Sequence, residues 1–458
     1  MKSEKTTLDN VRTSSCPSDL RITDIRFADI LGAPMRCILM KVYTNQDIVG
    51  YGEVRDWSSR SYAAFLKERL LGENPCDVER LFRRIRQFGW HGRQGGGVSG
   101  IEVALWDLAG KAYGVPVYQL LGGKYRDRIR MYADTDWEGK GTGATMAQAL
   151  KRRMDKGFTF LKMDLGMGQL IGHPGAISGP SGYLEEVQKL GEEYGKSIGK
   201  ARKDVEAWRR VRNRWYEQSN ISNTITGCHL TEKGVDLLAD FVAEVRENVG
   251  HEIPIATDHF GPFSVEDAER VLRRLEKHSL AWFEDPLPWQ YTAKYARLSR
   301  ASSVPLGTGE DVYLAEGFRP LIEANALSVV HPDVLTVGGI LETKKVGDMA
   351  LERGITMAIH MAESPIGCMA AVHAAAASEN FLALEYHSAD VAWWDDLVEG
   401  PSKPIVDKGF IKVPDTPGLG IESLNDEVIK AHLDPNMPGL WEPTDRWDGE
   451  WSHDRTWS

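Results

Sequence analysis

From Ile253 to Glu385 the chain repeats one unit six times, a short apolar run that ends on or near an acid or a histidine. The runs are IPIATD, LAWFED, VPLGTGE, LSVVHPD, ITMAIH and FLALE, and their polar ends are Asp258, Glu284, Glu310, Asp333, His360 and Glu385. Successive separations are 26, 26, 23, 27 and 25 residues. Such a period holds one strand and one amphipathic helix, the βα rhythm of a parallel sheet or barrel. In a barrel all strand C-termini open on one mouth, so polar groups one unit apart in sequence converge in space. Acids and histidines also follow strands as helix caps and loop residues, and any single position admits that reading. Six in succession point to a site.

The region before the repeat has another pattern. From about Arg21 to Ala112, β-like runs (RITDIRFADI, RCILMKVYT) give way to the helical SGIEVALWDLAGKAYG, where Ile101, Ala104, Leu105, Leu108 and Ala109 share a face. This predicts a small α+β domain. Gly50, Gly52 and Glu53 in IVGYGEVRD are expected to close a hairpin-like segment, and Asp56 to Arg60 to form a loop. At 458 residues the chain has room for a barrel of about 250 residues and a second domain. One segment breaks the rhythm. Residues 166–231 pass through Gly/Pro-rich turns (IGHPGAISGPSGY) into a strongly charged stretch, which reads as a lid, an oligomer contact or a solvated hairpin outside the barrel. His173 and His229 within it read as surface groups.

Net charge is −11, and no dense Lys/Arg stripe is interleaved with aromatics, so nucleic acid is not an expected partner. The same balance opposes an anionic substrate unless a metal ion or local basic groups offset it. Five cysteines, at positions 16, 37, 76, 228 and 368, form no CxxC pair and are odd in number. That argues against a disulfide framework or a structural zinc site and suits a reducing cytoplasm. The first residues, MKSEKTTLDNVRTSSCPSD, are polar, and no run approaches the ~20 apolar residues of a membrane span. A cytoplasmic protein with a flexible arm over residues 1–20 is expected.

Three carboxylates on neighbouring strands, Asp258, Glu284 and Glu310, offer the hard oxygen ligands that suit Mg²⁺. A divalent cation there would bind a substrate carboxylate and neutralise the charge formed when the adjacent C–H is deprotonated. Asp333 and His360, on the next two strands, suit a pair in which the carboxylate fixes the imidazole tautomer and raises its basicity. His360 is the expected base. Glu385, if protonated, would hydrogen-bond the substrate carboxylate; otherwise it would orient a donor.

These residues sit in motifs that resemble the enolase superfamily, mandelate racemase subgroup, from about Arg21 to Leu424. The likeness rests on SGIEVALWDLAGKAYGVPVYQLLGG, WFEDP, GTGED, HPDVLTVGGI, IHMAESPIG and FIKVPDTPGLGIE. It implies an α/β fold, a modified TIM barrel (β/α)7β with an α+β capping domain. The expected boundaries are 21–127 for the cap, 128–400 for the barrel with its insertion at 166–231, and 401–458 for a segment returning to the cap. Loops near Ala28 to Pro34 and Glu53 to Arg60 would close over the substrate. The resemblance also implies Mg²⁺ on Asp258, Glu284 and Glu310, and catalysis by Asp333 with His360.

Two departures bear on the reaction. Racemases of this group carry a Lys-x-Lys pair on the second barrel strand, but here it reads Lys162, Met163, Asp164. Lys162 remains able to stabilise a substrate carboxylate; Asp164 reads as a weaker base, a hydroxyl-orienting group or a structural acid. His259, beside Asp258, matches related dehydratases that place a histidine near this ligand, although strand alternation points it away. His91 and Arg93 in WHGRQGGG are candidates for substrate contact from the cap or for loop structure. With one clear base, dehydration of a sugar acid to a 2-keto-3-deoxy acid is the leading expectation. An epimerase or cycloisomerase using Asp164 or His259 is the alternative. A small-molecule carboxylate partner and a homo-oligomer are expected, and the Trp-rich end (LWEPTDRWDGEWSHDRTWS) is read as folding onto the cap or a neighbouring subunit.

Overall fold

The computed structural model describes residues 15–450 except 91, 137–139, 171, 180–188, 190–192, 194–226, 259 and 262. Most of the expected insertion, together with His91 and His259, lies outside the described residues. Three antiparallel strands open the fold: β1 (Ile22–Leu31), β2 (Arg36–Thr44) and β3 (Val49–Val54), in that order. The helix Gly95–Tyr113 lies against β3. Its approach explains Gly50 and Gly52 differently from the expected hairpin closure. The turn falls earlier, around Asp47 (φ 58°), and the two glycines lie inside β3. A Cβ at Gly50 would stand 2.5 Å from the Ala104 carbonyl oxygen, and one at Gly52 2.3 Å from that of Gly100. Close contact of backbones, not turn geometry, demands glycine there.

Eight parallel strands close the barrel among the described residues. They are Arg128–Ala133, Leu161–Asp164, Ile255–Asp258, Phe283–Glu284, Leu306–Thr308, Val329–Val330, Thr356–Ile359 and Phe381–Tyr386. The eighth returns to the first, with Glu385 opposite Tyr132. A helix follows each of the first seven strands, and among the described residues the eighth is followed only by the short 3-10 turn Trp394–Leu397 before the chain leaves the barrel, so the (β/α)7β expectation holds. Polar side chains start several of these helices: Thr142, Thr231, Ser264 and Ser364 each accept a backbone N–H of the first turn. The barrel interior below the mouth is filled by Tyr132, Phe160, Ala256, Trp282, Val329, Ala358 and Ala383. It is a packed floor, not a channel.

The last part of the chain ties the two layers together. Phe410–Lys412 pairs antiparallel with the first barrel strand. Leu433 then bridges Ile30, the Asp434 N–H donates to the Asp29 carbonyl at 2.8 Å, and Thr444 Oγ1 donates to the Ile25 carbonyl at 2.6 Å. The described part of the Trp-rich end therefore folds onto the capping sheet. Of the expected arm, Pro17–Asp19 forms a 3-10 turn, and Ser15 Oγ donates to the Ala112 carbonyl. Among the described residues no helix is long and apolar enough to cross a membrane.

Candidate active site

The strand ends bring the expected groups together in two clusters. In the first, the Lys162 ammonium is almost fully buried and lies 2.7 Å from Asp258 Oδ2, 3.2 Å from Glu284 Oε2 and 2.7 Å from Glu385 Oε1. Burial disfavours the ammonium, but Asp258, Glu284 and Glu385 outweigh it and hold its pKa well above the usual lysine value. Burial likewise favours the neutral form of Glu385, yet Lys162, His360 and His387 hold it well below the carboxylate range.

In the second cluster, His360 Nδ1 lies 2.7 Å from Asp333 Oδ2, and its Nε2 is 3.0 Å from Glu310 Oε2 and 3.9 Å from Glu385 Oε2. Asp333 is held in place partly by a backbone bridge to His360, since both lie just beyond short strands. Burial would raise its pKa, but Arg55 and His360 bring it down to about 2. Asp333 therefore stays ionised and keeps Nδ1 engaged, which leaves Nε2 as the ring nitrogen turned toward Glu310 and the mouth. Burial lowers the His360 pKa, and the charges of Glu310 and Glu385 with the Asp333 hydrogen bond reverse this and raise it well above normal.

Several partners were not among the expected groups. Arg55, one residue past β3, is buried and reaches from the cap into the mouth. Its Nη1 donates to Asp333 Oδ2 and Glu363 Oε1, both at 2.6 Å. Below the mouth, His331 Nδ1 lies 2.6 Å from Glu284 Oε1 and its Nε2 meets the Tyr132 hydroxyl, which donates to Glu385 Oε2 at 3.0 Å. Tyr132 and His331 thus join Glu284 to Glu385 from beneath, while Lys162 joins them from the side. His387 contacts Glu385 Oε1 through Nε2 at 3.2 Å and Asp134 Oδ2 through Nδ1 at 3.3 Å. Burial lowers its pKa, but Asp134 and Glu385 raise it overall.

The remaining expectations fall as follows. Asp164 ends the second strand in register with Asp258 and is buried at the same mouth. Arg93 pairs with Asp56 at 2.9 Å and approaches Glu310 at 3.8 Å. His229 is a surface group beside Asp267.

Do these residues suit a divalent ion? Glu284 Oε1, Asp285 Oδ1 and Asp311 Oδ1 are buried without a hydrogen-bond partner of good geometry. Burial, then the charges of Glu284, Glu310 and Asp258, push Asp285 well above the usual carboxylate range. A buried oxygen-rich pocket with acids in mutual repulsion fits a hard cation. As the side chains stand, the described ligand-type atoms within 4.8 Å of one another belong to His360, Glu385 and His387 and to Asp333, His360 and Glu363. Asp258 and Glu284 turn instead to Lys162, and Glu310 turns to His360.

Comparison with known proteins decides the family. Residues 25–122 match the mandelate racemase / muconate lactonizing enzyme N-terminal domain, and residues 145–427 match the enolase C-terminal domain-like family. The chain belongs to the enolase superfamily, in its mandelate racemase branch. Enzymes of this superfamily bind a divalent metal ion, in keeping with the acid-rich mouth. A D-xylonate dehydratase of Haloferax volcanii is 32% identical over 91% of this chain and 89% of its own length. A D-galactonate dehydratase of Verminephrobacter eiseniae is 26% identical over 91% and 97%. Among solved structures, a mandelate racemase/muconate lactonizing enzyme-like protein from Rubrobacter xylanophilus superposes with a TM-score of 0.75 at 30% identity, covering 92% of this chain and 99% of that one.

Proposed function

We propose that this superfamily member is a Mg²⁺-dependent dehydratase of a sugar acid, an aldonate or an aldarate, and that it forms a 2-keto-3-deoxy acid. The carrying observation is the His360–Asp333 pair, with Nδ1 fixed at 2.7 Å and Nε2 turned to the mouth, 3.0 Å from Glu310 Oε2. Its kinship with relatives named as sugar-acid dehydratases supports the reading. Asp258, Glu284 and Glu310 would hold the ion, which supplies charge neutralisation for the substrate carboxylate when bound. His360 removes the α-proton through Nε2. Lys162, buried among acids yet fully charged, binds the substrate carboxylate and favours the dianion that deprotonation produces. Arg55 and Arg93 add positive charge on the cap side, so an anionic substrate is admitted despite the net charge of −11.

The test is a screen of the purified protein with Mg²⁺ against four-, five- and six-carbon sugar acids, with 2-keto acids trapped by semicarbazide. At least one acid should yield a keto acid, and His360→Asn should lower that rate by about 10²-fold or more. Silence across the library would remove the dehydratase reading. Solvent deuterium entering recovered substrate without keto acid would replace it with epimerisation through the same dianion.

A further inference from the structure

Two imidazoles flank Glu385, one on each carboxylate oxygen. His360 Nε2 is 3.9 Å from Oε2 and His387 Nε2 is 3.2 Å from Oε1, with ring centres 5.9 Å apart. Each ring is backed through Nδ1 by its own aspartate, Asp333 at 2.7 Å and Asp134 at 3.3 Å. The second pair therefore copies the first. It comes from the seam where the barrel closes: Asp134 follows the first strand, His387 follows the eighth, and these strands are hydrogen-bonded neighbours. Strand alternation puts Glu385 and His387 on the same face, toward the mouth. His387 Nε2 is buried and lacks an aligned hydrogen-bond partner in the protein, so a proton on it has no aligned protein acceptor. The roles given to the other residues of the site leave this second pair without a task.

We infer that His387, held by Asp134, is the acid that protonates the departing β-hydroxyl, a role that rests on the dehydratase reading. The two rings stand on neighbouring strands and address neighbouring atoms on one face of the substrate, so the α-hydrogen and the β-oxygen leave from the same side. His360 Nε2 takes the α-proton, and the C–H electron pair moves into the carboxylate to form the dianion. That pair then returns to form the carbon–carbon double bond as the β-carbon–oxygen bond breaks. The leaving oxygen takes its electron pair and the proton from His387 Nε2, and departs as water. The enol product loses its hydroxyl proton and gains one at the β-carbon to become the 2-keto acid. Solvent carries one proton from His360 to His387, and both are restored. No oxidant or reductant enters.

The experiment compares wild type, His360→Asn and His387→Asn as Mg²⁺-loaded proteins on an accepted sugar acid and on its analogue with fluoride in place of the β-hydroxyl. Fluoride leaves without a proton. The readouts are keto acid, solvent deuterium at the α-carbon of recovered substrate, and released fluoride. His387→Asn should lose about 10²- to 10⁴-fold in dehydration while α-exchange and fluoride release stay within several-fold of wild type. His360→Asn should lose all three. The inference falls if His387→Asn dehydrates normally, or if exchange and fluoride release fall together with dehydration, which would make His387 a support for Glu385. A wild-type protein that exchanges the α-hydrogen but releases neither water nor fluoride overturns the dehydratase reading as well. Asp134→Asn, expected to give the same pattern with a smaller loss, carries the test should His387→Asn not fold.

Discussion

Glu385 at the barrel mouth and Glu53 with Glu102 at the seam between cap and barrel are all buried, and they are held in opposite ways. At the barrel mouth Glu385 faces Lys162, His360 and His387, and those cations keep it ionised. At the seam between cap and barrel, Glu53 accepts from Ser364 Oγ at 2.5 Å and from the Ser364 and Gly367 N–H groups, both at 3.1 Å. Glu102 accepts from the Ile340 and Leu341 N–H groups and from Trp106 Nε1. Both seam acids sit at N-termini of barrel helices, Ile340–Leu351 and Pro365–Ala376, with donors but no cation. Burial prevails there, raising Glu53 to about 7 and Glu102 to about 8. At Glu53, Glu102 and Glu385, hydrogen bonds fix where the buried acid lies, and the presence or absence of neighbouring cations decides whether it is charged. The mouth spends its cations on acids that must stay ionised, while the seam needs acids only as staples.

The largest effect expected from this contrast is at the mouth. Glu284→Gln should lower turnover by at least about 10²-fold while the melting temperature moves by only a few degrees. Glu102→Ala should do the reverse, costing about 3 kcal/mol or more because it leaves three donors unpaired and a cavity. Its folded fraction should turn over within a few-fold of wild type. A Glu284→Gln protein that unfolds, or a Glu102→Ala protein that melts normally and is inactive, would erase the distinction.

A smaller and sharper effect is the pH dependence of stability. Free glutamate titrates near 4.5, so between that value and about 7 or 8 the folded chain keeps protons on Glu53 and Glu102 that the unfolded chain has released. Their contribution is fully present at low pH and declines as pH rises through these folded values, by at most about 1.4 kcal/mol per unit for each proton. Denaturant titrations from pH 5.5 to 8.5 should show this slope, and Glu102→Gln should flatten it. His373 gives the opposite sign. Burial lowers it from 6.5 to about 4, so its contribution is present above 6.5 and lost as pH falls toward 4. His373→Gln should reduce the acid-side slope.

The six strand ends were legible because βα spacing is a one-dimensional signal of a three-dimensional ring. Lys162 was legible only through the family motif, and its three carboxylate partners follow from the barrel's closure. Arg55 was not legible: it lies 278 residues from Asp333, and nothing in VRDW indicates that a cap side chain crosses into the mouth. His331 sits inside the HPD motif, two residues before the acid that drew notice. His387 could have been found, since it stands two residues after Glu385 on the same alternating face. Asp134 required knowing that the first and eighth strands touch. The fold was therefore read from periodicity, whereas the wiring between strand ends depends on contacts that periodicity does not encode.

The reach of Arg55 into the mouth has a consequence for heredity and for engineering alike. Asp333 belongs to the barrel, yet one of its two side-chain partners within 3 Å is supplied by the cap, from the residue that follows β3. A chimera that borrows its cap from a cousin, intending only to admit a different sugar, would also replace the ion that steadies the base's companion. Taste and strength would change hands in a single exchange, and lineages that shuffle caps must re-tune the barrel afterwards.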